Sequence, residues 1–209
     1  MKITVTNDFR GLKKDEFYDF DTFPLLIAGK NGCGKSSLFQ ALRGYKNDGE
    51  ENMMIKRDLK DLAHNIEVEH EYEKIFYFDA IKDNGSDMMV AVDAMAYIES
   101  GGFATRHKSH GEGALIYLDM FLKKYAGKFI PNKTLLVFDE VDKGFSLFAM
   151  SKYINIINNL SYNFSVDMIV ITHNPIVIIQ NHLVYDFAER KIVSSLEYVN
   201  EETGLSLKL

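Results

Sequence analysis

The sequence predicts an α/β fold with a largely parallel sheet and antiparallel strands at its start and end. Three observations carry this. Short apolar runs that read as buried strands alternate along the chain with stretches that read as helices. A glycine-rich turn, Gly29 to Ser36, joins one such strand to one such helix. The chain has 209 residues, 46% of them hydrophobic, enough to bury one good core.

Residues 2–6 and 17–20 read as short strands at the start. Residues 25–28 form an apolar run that ends at Gly29, as a buried strand would. Residues 35–43 read as a helix that Gly44 stops. Residues 46–52 are polar and charged and read as an exposed loop, and residues 75–80 are aromatic and strand-like. The run Asp83-Asn84-Gly85-Ser86-Asp87 is a strong turn signal, and residues 88–98 fit helix or strand. Leu115, Leu118, Leu122 and Tyr125 fall at helical spacing within 112–125. Residues 135–138 form an apolar strand running into Asp139 and Glu140; residues 145–160 read as helix and 168–171 as another buried strand. Residues 183–187 and 191–198 read as a closing hairpin. Pro24, Pro131 and Pro175 all fall at element edges, and there is no repeat or low-complexity segment.

Composition excludes several classes. No apolar run approaches the ~18 residues of a membrane span, and the first ten residues lack the apolar block of a signal peptide. Cys33, the one cysteine, cannot form an internal disulfide, which fits a reducing cytoplasm. Thirty acidic residues against 24 basic ones give a net charge of −6. Such a chain does not coat nucleic acid by global charge, although a local basic patch could engage phosphates.

The chemistry concentrates in two places. Gly29-Lys30-Asn31-Gly32-Cys33-Gly34-Lys35-Ser36 fits G-x-x-x-x-G-K-[ST] at every fixed position, between a buried strand and a helix. Glycines let backbone N–H groups turn around phosphate oxygens, and the helix N-terminus adds partial positive charge. Lys35 is the candidate to bridge the terminal phosphates and Ser36 to hold Mg²⁺. Cys33 reads as a small residue fitting a tight turn, with a redox sensor as the alternative. The second place is the acidic strand end. A carboxylate at the end of a central parallel strand reaches the phosphate crevice. Asp139 is the candidate Mg²⁺ ligand and Glu140 the candidate general base. Asp142 serves either the site or the turn.

Five stretches then occur in a telling order: Asn7-Asp8-Phe9-Arg10-Gly11, Asn31 to Ser37, Ser109-His110-Gly111-Glu112-Gly113, Phe138-Asp139-Glu140-Val141-Asp142, and Ile171-Thr172-His173-Asn174-Pro175. In that order they resemble the ABC-type ATPases, and within them the SMC, RecF and OLD-like group. The first is similar to their "nFRG", the second to NGxGKSS, and the third to a degenerate signature motif with His110 at its first glycine. The fourth is similar to "LDEVD" and the last to the "THSP" of the switch-histidine loop.

The resemblance implies one ABC-type ATPase domain over 1–209, with a helical and signature lobe at about 45–130 inserted in a P-loop core. It implies ATP and Mg²⁺ as cofactors and an ATP-dependent head-to-tail homodimer. Asn31, Gly32, Cys33, Gly34, Lys35, Ser36 and Ser37 would hold phosphates in one protomer, and Ser109 and Gly111 would reach the γ-phosphate from the other. Serine and glycine at a helix start also fit a plain helix cap. His173 would sense the γ-phosphate and orient water; without the resemblance a histidine after a strand reads as structural, with Thr172 or Asn174 simply capping the helix that Pro175 begins. Arg10 either approaches the nucleotide or pairs with a carboxylate on the sheet edge.

The chain departs from the family pattern at several points. The Q-loop glutamine is missing: Gln40 lies in the first helix, Gln180 follows the histidine loop, and Asp79 is either a stand-in or a strand-end residue. The D-loop aspartate would fall near Ser146, and no obvious aromatic before the phosphate loop stacks adenine as in transporters. The interval between Ser36 and Ser109 holds no heptads for coiled-coil arms, and too little chain follows His173 for a nuclease domain. The expected function is therefore a bare head that gates a partner protein in DNA repair or genome defence. Residues 46–70 are the expected partner surface. Arg106-His107-Lys108 is a candidate nucleic-acid contact or a solvated loop. The alternatives are a nucleotide-gated binding module with little turnover and a transporter ATPase subunit.

Overall fold

The computed structural model describes residues 1–49, 53–79, 110–143 and 145–204. The strands in chain order are β1 (Lys2–Val5), β2 (Phe17–Asp19), β3 (Leu25–Ala28), β4 (Ile66–Glu69), β5 (Lys74–Asp79), β6 (Thr134–Asp139), β7 (Asp167–Ile171), β8 (Leu183–Asp186) and β9 (Lys191–Ser194). The helices are α1 (Lys35–Tyr45), α2 (Met53–Ala63), α3 (His110–Tyr125), α4 (Leu147–Phe164), α5 (Pro175–Ile179) and α6 (Ser195–Thr203). The strands form a central sheet in the order β5-β6-β7-β3-β8-β9 and a small sheet in the order β2-β1-β4. From β5 to β8 every pairing in the central sheet is parallel; β9 returns antiparallel to β8, and the small sheet is wholly antiparallel.

The apolar runs explain the centre. All four residues of β3 are buried, as a strand covered on both faces requires. Alternation sends Leu25 and Ile27 to one side, where α1 packs through Leu38, Phe39 and Leu42 and the small sheet adds Ile3, Val5 and Tyr18. Leu26 and Ala28 face the other side with Phe76, Phe138 and Val170. Helices α3, α4, α5 and α6 cover that side through Leu118, Tyr153, Val177 and Val199. The two sheets are also tied at their edge. Arg190, in the turn between β8 and β9, pairs with Glu16 and lies 5.5 Å over the Tyr18 ring.

Two expectations change. Gly44 does not stop α1, which runs on to Tyr45. A Cβ at Gly44 would lie 1.9 Å from the carbonyl oxygen of Leu59, so the glycine is the point of closest approach to α2. Residues 195–198, expected in the second arm of a hairpin, begin α6 instead. The signal is present in Ser194-Ser195-Leu196-Glu197, a serine followed three residues later by Glu, and Gly204 closes the helix in a left-handed conformation. Residues 53–69, within the stretch expected as a partner surface, hold α2 and β4, and β4 pairs with β1. Both β4 and β5 lie inside the interval 45–130 and belong to the two sheets. Residues 83–98 lie outside the described residues.

Candidate functional site

Strands β6, β7 and β3 are consecutive neighbours and parallel, so their C-terminal ends open on one edge of the sheet. Each end delivers one motif: Asp139 as the last residue of β6 with Glu140 next, His173 after β7, and the phosphate loop after β3. The crevice beyond such strand ends is the usual ligand position in open α/β sheets.

The loop turns into α1 at Gly34, whose φ is +100°. A Cβ there would also lie 2.5 Å from Cδ2 of Leu12, so the loop rests on the Leu12 side chain. The Lys35 side chain is buried inside the curve of the loop. Its ammonium donates to the carbonyl oxygens of Gly29 at 2.6 Å and Lys30 at 3.1 Å, and Cys33 Sγ lies 3.5 Å away. Ser36 and Ser37 occupy the first turn of α1, where backbone N–H groups have no partner within the helix. Ser37 Oγ donates to the carbonyl oxygen of Arg10 at 3.3 Å. The Arg10 guanidinium donates to Gln40 Oε1 at 3.0 Å, so its partner is an amide on α1 and not a carboxylate on the sheet edge.

Asp139 closes β6 in register with Asp79 on β5 and Ile171 on β7. Asp79 is thus a buried strand-end residue. Glu140 then takes a left-handed conformation, φ 47°, while its N–H donates to the Ile171 carbonyl at 3.0 Å. The turn aims the carboxylate across the strand end. Oε1 lies 3.3 Å from His173 Nε2 and Oε2 lies 3.4 Å from the Lys143 ammonium. Burial lowers the pKa of His173, and the charge of Lys35 pushes the same way, against Glu140. The imidazole is therefore neutral at pH 7 and can take part in proton relay.

The loop carrying His173 is anchored on both sides. Thr172 N–H donates to the Ile27 carbonyl of β3 at 3.1 Å. Its hydroxyl donates to Asp142 Oδ2 at 2.5 Å and accepts from the Asn174 N–H at 2.9 Å. Asn174 caps α5, its side-chain oxygen accepting from the Ile176 N–H at 3.0 Å, with Pro175 following. Arg10, Asn31, Gly32, Gly34, Lys35, Ser36, Ser37, Glu140 and His173 thereby share one cavity of about 140 Å³. A second, of about 400 Å³, adjoins it through Asn31, Glu140 and His173 and extends to Asp142, Lys143 and Asn174.

Gly111 lies in the first turn of α3. Ser109 and the Arg106-His107-Lys108 cluster lie outside the described residues. Sequence reasoning missed Lys143, Gln40 and Leu12. The i,i+3 spacing of Glu140 and Lys143 was a usable signal. The contact of Leu12 with Gly34 is purely tertiary and had none. Ser146 caps α4, its hydroxyl accepting from the Ala149 N–H at 3.2 Å.

The donor set suits magnesium. Ser36 and Asp139 offer hard oxygen atoms, and Mg²⁺ commonly takes one or two carboxylates together with substrate phosphates. Among the described residues no cluster of three or more His, Cys, Asp or Glu side chains forms an all-protein metal site. No described helix is long and apolar enough to cross a membrane.

No protein-family model matches the chain. No curated protein matches it in sequence. Solved structures do match in fold. A metal-chelate type ABC transporter in an inward-facing conformation superposes with a TM-score of 0.55 at 16% identity, over 98% of this chain and 88% of that one. The SMC head domain from Thermotoga maritima gives 0.52 at 17% identity, over 88% of this chain and 93% of that one. A bacterial Atm1-family ABC exporter with ATP bound gives 0.50 at 14% identity, over 96% of this chain and 40% of that one. The chain has the fold common to these ABC-transporter and SMC heads.

Proposed function

We propose that this chain is an ABC-type ATPase head that binds ATP with Mg²⁺, closes with a second copy around it, and reopens on hydrolysis. The observation that carries the reading is the delivery of the phosphate loop, Glu140 and His173 by three adjacent parallel strands, with Glu140 and His173 3.3 Å apart. In this reading Asn31 to Ser37 and the N-terminus of α1 hold the phosphates, and Arg10 borders the same cavity. Lys35 is the charge already placed inside the loop's curve. Ser36 and Asp139 would hold Mg²⁺, which supplies neutralisation of phosphate charge when bound. Glu140 takes the proton of the attacking water, and neutral His173 orients that water and Glu140 together. Ser109 and Gly111 act from the second copy within a helical and signature lobe, with Gly111 in the first turn of α3.

The reading extends to a cytoplasmic head whose cycle gates a partner protein in DNA repair or processing or in genome (phage) defence, with nucleic acid as a further partner. The absence of a Q-loop glutamine supports this over a transporter subunit, whose coupling surface usually lies there. The transporter reading has one observation in its favour, the superposition on a metal-chelate type ABC transporter over 98% of this chain. Co-purification with an integral membrane protein would establish it.

The test is the oligomeric mass of Glu140→Gln with Mg²⁺ and ATP, against ADP, by size-exclusion light scattering. A dimer with ATP alone is expected. A monomer in both overturns closure with a second copy. Negligible phosphate release by the native chain, with ATP-dependent dimerisation retained, would leave a nucleotide-gated binding module.

A further inference from the structure

Asp142 is a buried carboxylate outside the roles assigned above, with only 3% of its surface exposed. A tight turn needs no such group, because a surface Asp or Asn caps a turn at no desolvation cost, whereas a buried carboxylate is costly unless hydrogen-bonded. Its partner is the Thr172 hydroxyl, itself fully buried, which donates to Oδ2 at 2.5 Å. The same hydroxyl accepts from the Asn174 N–H at 2.9 Å. Thr172 and Asn174 bracket His173, so both neighbours of the histidine are fixed through one oxygen, and that oxygen is fixed by Asp142. Asp142 is held in turn, since its carbonyl accepts from the Phe145 N–H at 3.1 Å. The Glu140 N–H bonds the Ile171 carbonyl at 3.0 Å, so the acidic turn and the histidine loop are joined on both sides of the Glu140–His173 contact.

We propose that Asp142 is a positioning residue: through Thr172 it sets the place of the His173 imidazole against Glu140, and so governs the hydrolytic step and not nucleotide binding. This rests on the ATPase reading above. The carboxylate is needed as an acceptor and not for its charge, because the Thr172 hydroxyl requires only an oxygen of the right geometry. An asparagine can supply that oxygen; an alanine cannot. Valine at position 172 preserves the shape of threonine and removes both the donor and the acceptor.

The experiment compares Asp142→Ala, Asp142→Asn, Thr172→Val and the Asp142→Ala/Thr172→Val double variant. Each is measured for kcat, for ATP affinity by equilibrium binding, and for the His173 imidazole resonances by NMR of the nucleotide-free protein. Loss of placement by about 1 Å costs roughly a hundredfold in rate. Asp142→Ala and Thr172→Val are therefore expected to lower kcat by about that factor with ATP affinity unchanged. The double variant should be no worse than either single one, because both cut the same link. Asp142→Asn should restore most of the rate and the native His173 resonances. Equal loss in the Asn and Ala variants overturns the acceptor role. A native kcat in Asp142→Ala, or native His173 resonances there, overturns the positioning role. If the native chain binds no ATP while the His173 resonances still follow Asp142, the ATPase reading fails and the structural link stands.

Discussion

Glu140 Oε1 lies 3.3 Å from Nε2 of His173, although the two residues leave different strands of the central sheet. The contact exists because β6 and β7 are neighbours and Glu140 adopts a left-handed turn directly after β6. Substituting Glu140→Gln keeps the size and a hydrogen-bonding oxygen but removes the carboxylate that the ATPase reading makes the proton acceptor. Turnover should fall by about a hundredfold or more, the range for loss of a positioned base. ATP affinity should hold, since Glu140 faces His173 and Lys143 and leaves the grip of Lys35 on its loop untouched. Steady-state phosphate release alongside equilibrium binding checks both halves; hydrolysis at the native rate would remove Glu140 from the mechanism.

Burial, and after it Lys35, hold the pKa of His173 below the ordinary imidazole value of 6.5. Activity that needs the neutral ring should therefore be lost on acidification at a lower pH than an ordinary imidazole would set. The sign for stability follows from the same depression. On acidification the unfolded chain takes up this proton first, near 6.5, and the folded chain only at a lower pH. Stability should therefore fall across that window and lose nothing more from this group once both forms are protonated. Lys35→Gln removes one lowering cause and should move the His173 midpoint up, whereas Glu140→Gln removes a raising charge and should move it down. Titration of the His173 ring signals by NMR reads both shifts, and a midpoint that moves in the opposite sense in either variant contradicts the arrangement.

Ser146 caps α4 by accepting from the Ala149 N–H. Removing the cap in Ser146→Ala should cost about 1 kcal/mol of stability. Ser146→Asp should preserve it, because either side chain supplies the accepting oxygen. Urea unfolding of the two variants separates the cases. Equal loss in both would mean that the hydroxyl serves something other than the helix end.

Much of this site was legible because its chemistry is local in sequence. The phosphate loop needs adjacent glycines and a lysine, and Asp139 and Glu140 need only an apolar run before them. The histidine loop announces itself through Asn174 and Pro175, which start a helix. The relationships between motifs were less legible. Thr172 and Asp142 are 30 positions apart, and nothing in either stretch names the other as partner. Arg10 and Gln40 meet across the loop's support, whereas the sequence offered for Arg10 only the nucleotide or a carboxylate on the sheet edge. In the fold, α6 was misread because Ser195-Leu196-Glu197-Tyr198 alternates polar and apolar residues as a strand would, directly after β9 ends at Ser194. Packing of Tyr198 and Val199 on the far side of the sheet then decides for helix.

Gly44 offers the sharpest test of packing against propensity. As a helix stop, its replacement by alanine would extend or strengthen α1 and gain about 1 kcal/mol, the usual advantage of alanine over glycine within a helix. The structure predicts the reverse. The new Cβ would lie 1.9 Å from the Leu59 oxygen and 2.4 Å from its carbonyl carbon, so α2 would have to move away from α1. Overpacking of this kind costs about 1–3 kcal/mol and outweighs the propensity gain. Gly44→Ala should unfold at lower urea than the native chain. Because the obstacle is backbone, shrinking the neighbouring side chain cannot relieve it, and Gly44→Ala/Leu59→Ala should be no more stable than Gly44→Ala alone. Rescue by the second substitution would place the contact on the leucine side chain, and a stabilised Gly44→Ala would return the glycine to the role of helix stop.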